Sequence, residues 1–330
     1  MQISDTLKQL LIMLADGTFH SGTELAEVLG VSRSAIWKQL QALSELGVEL
    51  IAISGKGYKL PQAMQLLDGG RIIPLLETPA RQLMAGLEIH DVLDSTNTYL
   101  QAQARAGALS GQICVAEYQT AGKGRRGRVW VSPFGHNLYL SILWRYQDSP
   151  AAIAGLSLAL GVAVIRGLQQ FGMSDVGLKW PNDIYWRQKK LAGILVEVSG
   201  ESGGPCHAVV GLGVNFYLSE QQGKTIDQPY ADILGIMGET AGLRRNELLA
   251  LLLNQLLPVI ASYQADCLGD YLPEWRSHDC MAGKAVQVLI GETRHAGTVA
   301  GINEDGLLLI RNAEDRLQTF ASGEVSLRTL

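Results

Sequence analysis

Between residues 122 and 128 the chain carries four cations, Lys123, Arg125, Arg126 and Arg128, interleaved with Gly122, Gly124 and Gly127. Guanidinium forks match phosphate and carboxylate oxygens. Glycines let backbone N–H groups come close to a ligand. A second run, Lys179-Trp-Pro-Asn-Asp183, places a stiffened turn beside two polar tips, Asn182 and Asp183, and Lys190 follows next to the small residues Ala192 and Gly193. Either run alone fits a solvated surface loop. Two lysines, an aspartate and a Gly/Arg loop together point to chemistry on a phosphate. Neither a Walker-type loop nor a Rossmann glycine fingerprint is present, so an ordinary P-loop or dinucleotide enzyme is not expected.

These residues need elements to hold them. Residues 87–93 read as a strand, followed by Asp94-Ser-Thr-Asn97 at the start of an amphipathic helix running towards Ala106. Polar side chains there can cap the helix or bond a ligand at its free N–H groups. Residues 112–117 form the next strand, which delivers the cationic loop. Residues 137–144 read as a further strand. The most apolar run, Ala151 to Ile165, falls short of the roughly 20 apolar residues that span a bilayer and ends at Arg166, so no membrane role is expected; it reads as part of a buried helix ending near Phe171.

The first sixty residues have their own pattern. Leu7, Leu10, Leu11 and Leu14 recur at helical spacing, and Gly17 stops that helix. Ser21 and Glu24 have capping-box spacing at the start of a second helix, in which Leu25, Val28 and Leu29 are the expected buried stripe. Gly30 allows a tight turn, and Ser32 caps a third helix with Ile36, Leu40 and Leu43 facing inward. Helix, glycine turn, helix is the helix-turn-helix pattern. Its recognition helix offers Ser32, Arg33, Ser34, Trp37 and Lys38 to DNA. Residues 48–53 and 58–60 read as a β-wing around Lys56. The charge balance here, five Lys/Arg against six Asp/Glu, implies that one copy binds DNA weakly and that two copies act together. A small helical domain used for protein contacts is the competing reading.

Length and composition set wider bounds. At 330 residues and 47% hydrophobic, the chain can hold two or three domains, and a net charge of −5 does not suit a general polyanion binder. Cys114, Cys206, Cys267 and Cys280 lack zinc or redox spacing, so free thiols in the cytoplasm are expected. The six histidines form no ligand pattern, and no transition-metal site built by the protein is expected. The start of the chain lacks a basic leader followed by an apolar core. Residues 64–86, with Gly69, Gly70, Pro74 and Pro79, read as a connector with a short helical piece at residues 64–67. Short runs at 286–290, 297–302, 307–311 and 317–320, split by turns, read as a small β-barrel.

Taken in order, these motifs resemble the bifunctional biotin protein ligase and biotin operon repressor family (BirA type). The resemblance spans nearly the whole chain. It rests on the winged helix-turn-helix, Asp94-Ser-Thr-Asn97, Glu117-Tyr-Gln119, the loop from Gly122 to Arg128, Lys179-Trp-Pro-Asn-Asp183, Lys190-Leu-Ala-Gly193, Gly211-Leu-Gly-Val-Asn215 and the tail Gly323-Glu-Val-Ser-Leu327. It implies an α+β multidomain fold. A winged helix-turn-helix would occupy residues 1–63, a connector 64–86, a central mixed α/β ligase domain of class II synthetase type 87–272, and an SH3-like β-barrel 273–330.

The resemblance also implies an activity. Such enzymes join biotin and ATP, with Mg2+, into biotinyl-5′-adenylate, and pass biotin to a lysine of a biotin carboxyl carrier protein. With the adenylate as corepressor they dimerise and bind operator DNA. By resemblance, Ser95, Thr96, Asn97, Gln119, Lys123, Gly124, Arg125 and Lys190 contact biotin. Gly122, Arg126, Arg128, Trp130, Asn182 and Asn215 belong to the adenylate loop and its surroundings. Lys190, Arg125 and Asp183 are the catalytic candidates: Lys190 beside the reacting carboxylate and α-phosphate, Arg125 as clamp, Asp183 near the acceptor amine. Lys123 departs from the Arg-rich pattern and loses the planar fork. Ile226 and Tyr230 are the apolar residues expected over the adenine. A repressor without catalysis, and a lipoate ligase of similar fold, are the alternatives.

Overall fold

The computed structural model describes residues 3–291, 293–323 and 325–329. Helices α1 (Asp5–Leu14), α2 (Gly22–Leu29) and α3 (Arg33–Glu45) pack with a wing of β1 (Ile51–Ile53) and β2 (Gly57–Lys59). Each helix is capped by a serine, Ser4, Ser21 or Ser32, and Ser21 with Glu24 forms a complete capping box. Leu7, Leu10, Leu11, Leu14, Leu25, Ile36, Leu40 and Leu43 are buried. Val28 is not: it stays 65% exposed. The inner face of α2 centres on Leu25 and Ala26, which leaves Val28 outside the seam with α1 and α3. His20 extends the wing by pairing with Tyr58 in both directions at 2.9 Å. There Gly57 (φ 107) is obligatory, because a Cβ would collide with the His20 carbonyl.

The connector differs from its expected form. Residues 64–67 carry no helix, and the helix lies just beyond, as α4 (Gly69–Ile72), followed by α5 (Thr78–Leu83). Asp68 caps α4, with its Oδ1 accepting from the Gly70 N–H at 2.8 Å. That irregular stretch is held by side chains from far along the chain. Glu117 accepts from the Leu67 N–H, Arg245 donates to the Gln65 carbonyl at 2.8 Å, and Asn246 donates to the Leu66 carbonyl at 2.9 Å.

The central sheet has seven strands: β3 (Gly86–Leu93), β4 (Gln112–Gln119), β5 (Leu138–Tyr146), β6 (Val176–Lys179), β7 (Asp183–Trp186), β8 (Lys189–Gly200) and β9 (Cys206–Val214). Their order is β3-β4-β5-β9-β8-β7-β6. Only β3 and β4 run parallel. Helix α6 (Thr96–Arg105) covers one face, burying Leu100 and Ala104 against Cys114, Leu143 and Val209. The other face carries α7 (Leu156–Gln170), whose eleven buried residues make it a core helix as its composition implied. Two short helices, α8 (Glu220–Gly223) and α9 (Ile233–Met237), flank the segment beside the cleft. Helices α10 (Arg245–Ser262) and α11 (Leu268–Ser277) complete the layer.

Strands β10 (Ala285–Ile290), β11 (Thr293–Ile302), β12 (Leu308–Arg311), β13 (Leu317–Phe320) and β14 (Val325–Thr329) form the C-terminal antiparallel barrel sheet, in the order β13-β12-β11-β10-β14. The expected boundary at 272/273 falls inside α11, which continues to Ser277. Trp275 is buried in a hydrophobic core that runs on from the central domain to the barrel's Val286 and Ile310. Within the tail motif, Glu324 lies outside the described residues. The winged domain is likewise fastened to the centre. Phe134, which follows the cationic loop, is buried in the core of the winged domain beside Leu60 and Met64.

Candidate active site

A cleft of about 1360 Å³ opens where the ends of β4, β7, β8 and β9 meet the loops between them. It collects every site residue expected from the sequence except Gly122 and the DNA-facing set. Among the described residues its lining carries nine lysines and arginines against two carboxylates, Asp183 and Asp227. That imbalance suits a polyanionic ligand.

The closed end is polar and buried. Parallel register pairs Leu93 with Gln119, so the residues after β3 lie beside the end of β4. The Thr96 N–H donates to Gln119 Oε1 at 2.9 Å, and Gln119 Nε2 donates to Ser132 Oγ at 3.0 Å. Ser132 passes its proton to the Trp130 carbonyl at 2.8 Å. Ser95, Thr96, Asn97 and Gln119 are all buried. Asn97 lines the cleft, yet its amide is spent on the protein, donating to Glu197 Oε2 at 2.8 Å and to the Leu195 carbonyl at 3.4 Å. Composition and spacing gave no sign of Ser132, Ser141 or Glu197. A lone serine inside the apolar strand β5 was the available signal for Ser141.

The floor is made of glycines. Gly193 and Gly213 are register partners on β8 and β9, and the Trp130 indole lies on them. A Cβ on Gly213 would stand 2.5 Å from that ring. The buried Trp130 Nε1 has no hydrogen-bond partner among the described residues.

At the mouth, Lys190 Nζ and Asp183 Oδ1 are 2.7 Å apart, and Lys190 Nζ sits 5.4 Å from the Trp130 ring centroid. The β7–β8 register faces Asp183 with Gly193, which leaves room for this pair. Arg125 reaches in from the loop and donates to Asn182 Oδ1 at 3.0 Å and to the Ser322 carbonyl of the barrel. Burial depresses the Arg125 guanidinium; Asp183 opposes that shift, while Arg128 and Arg126 reinforce it. Burial likewise lowers Lys179, whose Nζ donates to the Tyr185 hydroxyl at 3.0 Å.

The loop itself is anchored at its base. Gly122 is buried against Ser132 and Trp130, and the Trp130 N–H donates to its carbonyl at 2.9 Å. So Gly122 supports the loop without lining the cleft. At the tip Arg126 takes φ 59 and Gly127 φ 72. Lys123 and Arg126 are exposed. Across the cleft, residue 230 runs parallel to Lys190, bringing Tyr230 and Ile226 into the lining. Asn215 ties that segment down, donating to the Lys190 and Ala231 carbonyls at 3.3 and 3.2 Å.

The DNA-facing set lies elsewhere. Arg33, Trp37 and Lys38 are exposed on α3, and Ser32 and Ser34 are engaged at its start, 2.9 Å apart. Lys56 and Lys59 both approach the Phe19 ring, at 5.9 and 5.4 Å.

Residues 89–215 match the biotin/lipoate A/B protein ligase family, residues 6–59 an HTH domain and residues 282–328 the biotin protein ligase C terminal domain. The chain is 39% identical to the bifunctional ligase/repressor BirA of Escherichia coli and 41% identical to that of Salmonella typhimurium, with 97% of each chain covered in both cases. It is also similar to the biotin protein ligase of Aquifex aeolicus in complex with biotin and ATP, at 28% identity and a TM-score of 0.63, covering 75% of this chain and all of that one. With the same three parts in the same order along its whole length, the chain belongs to the BirA family of bifunctional biotin protein ligases and repressors.

Proposed function

We propose that this chain activates biotin with MgATP to biotinyl-5′-adenylate, transfers biotin to a lysine of a biotin carboxyl carrier protein, and represses biotin synthesis genes with the adenylate as corepressor. The observation that carries the reading is the Lys190–Asp183 pair at 2.7 Å, set between a buried hydrogen-bonding end and a cationic loop. A neutral ring seats at Ser95, Thr96 and Gln119, its carboxylate tail reaches Lys190, and the phosphates lie under Arg125, Arg126 and Arg128.

In the first step a biotin carboxylate oxygen forms a bond to the α-phosphorus and pyrophosphate leaves. Lys190 and Arg125 lower the repulsion between two anions, so the work is positioning and charge stabilisation. Mg2+ arrives with ATP and neutralises phosphate charge. Asn182, held by the Ile194 carbonyl at 2.6 Å, fixes Arg125 from one side. In the second step the carrier amine attacks the acyl carbon and AMP leaves. Asp183, beside Lys190, orients that amine. No serine or cysteine nucleophile is needed. Ile226 and Tyr230 cover the adenine.

The repressor half rests on the exposed Arg33, Trp37, Lys38 and Lys56. Adenylate binding orders the Gly122–Arg128 loop, and the ordered surface pairs two copies, which brings two weak DNA modules together. The test is sedimentation with and without biotinyl-5′-adenylate, followed by operator titration. Adenylate-dependent dimers that lose operator affinity in Lys38→Ala support the reading. An unchanged monomer–dimer balance rules out corepression by dimerisation.

A further inference from the structure

We propose that Glu197, Asn97 and Ser141 are positioning residues that fix which atoms at the closed end of the cleft donate and which accept, and so select a cyclic urea. The inference rests on the biotin-ligase reading above.

The starting point is Asn97. Its Nδ2 faces Glu197 Oε2 and the Leu195 carbonyl, both acceptors, so its Oδ1 must face the other way. Ser141 Oγ lies there, 2.6 Å from Asn97 Oδ1 and 2.7 Å from Thr96 Oγ1. A hydroxyl has one proton, and Asn97 Oδ1 has none to give. Ser141 therefore donates to Asn97, and Thr96, whose Oγ1 also lies 3.3 Å from Gln119 Oε1, gives its one proton to the nearer Ser141 Oγ. With its hydroxyl proton committed, Thr96 Oγ1 faces the cleft as an acceptor.

Gln119 is fixed by a separate route. Its Oε1 accepts the Thr96 N–H, and its Nε2 donates to Ser132, whose own proton goes to the Trp130 carbonyl. One Gln119 N–H remains for a ligand. The closed end thus offers an acceptor at Thr96 and a donor at Gln119, the complement of a ring N–H beside a ring C=O. The chain is built into the sheet. Gly211 sits between Ser141 on β5 and Leu195 on β8, and any Cβ there would collide with the Asn97 amide. Ser141 is fully buried and Asn97 nearly so, so an unmatched donor or acceptor here would be costly.

The test measures adenylate formation by the full chain with biotin and with ring carbamates in which either ureido N–H is replaced by oxygen. A wild-type preference for biotin over the disfavoured carbamate of about 100-fold is expected, since a buried acceptor is left unpaired. In Glu197→Gln the terminal amide no longer dictates polarity. The KM for biotin should rise about 10-fold, kcat should change less than about two-fold, and the preference should fall below about 10-fold. Ser141→Ala should shift both quantities the same way. An equal rise in KM for biotin and carbamates, with the preference intact, would mark a merely structural role and overturn the proposal. Unchanged KM and preference in both variants would also overturn it. A folded wild-type protein that forms no adenylate from biotin would instead remove the ligase reading, and this inference with it.

Discussion

The two ends of the cleft are built on opposite principles. At the closed end, Thr96, Asn97, Gln119, Ser132 and Ser141 are buried and each has its partner before any ligand arrives. At the open end, the loop carries Lys123 and Arg126 into solvent and turns through φ 59 and φ 72 at its tip. In the reading proposed above, the first end would seat the acid with little reorganisation, and the second would supply charge to the phosphates.

The largest effect should come where the ends meet. Lys190→Ala should reduce adenylate formation by about 1000-fold or more, because charge stabilisation at the reacting centre is lost. Pyrophosphate release measures it, and a near-normal rate would remove Lys190 from the site. The next effect belongs to the rigid side. Glu117 and Arg245 form a 2.6 Å ion pair, and both are almost fully buried. Glu117→Gln leaves the guanidinium uncompensated and should cost about 3 kcal/mol or more of stability. A denaturant midpoint equal to wild type would show that this hub is not what holds the end of β4.

On the loop side, Arg125→Ala should speed adenylate release about 10- to 100-fold, the worth of one charge-assisted bond pair, with little change in thermal midpoint. If release is unchanged, the loop is not the cover. A further effect is pH-dependent and comes from His136, which lies outside the cleft lining. Burial, reinforced by the Arg245 charge, lowers the His136 imidazole from 6.5 to about 4. The unfolded chain therefore binds a proton that the folded chain refuses between those values. Stability should be full above pH 6.5 and fall as pH drops towards 4. His136→Gln should flatten that slope; an equally steep slope would place the acid sensitivity elsewhere.

Much of the site was legible because its motifs sit at strand ends. Asp94-Ser-Thr-Asn97, Gln119 and Lys190 are each local in the chain, and parallel or antiparallel register alone brings them together. The three serine N-caps were equally local. What escaped depends on distant pairing. Arg245 meets Glu117 across 128 residues, and Asn97 meets Glu197 across 100. No spacing rule reports such contacts. The connector failed for the same reason. Gly69 and Gly70 looked like a break, yet Asp68 caps a helix on them, while the expected helical piece at 64–67 is irregular and its carbonyls bond to Arg245 and Asn246. Phe134 is a third case. It follows the ligand loop in sequence and is buried in the winged domain.

The most direct measurement is to incubate the purified chain with MgATP and either biotin or lipoate, denature it, and identify the acyl-adenylate by mass spectrometry. Biotinyl-5′-adenylate from biotin, and no product from lipoate, is the expected result. A folded protein that yields no adenylate from biotin, or yields lipoyl-adenylate instead, would contradict it.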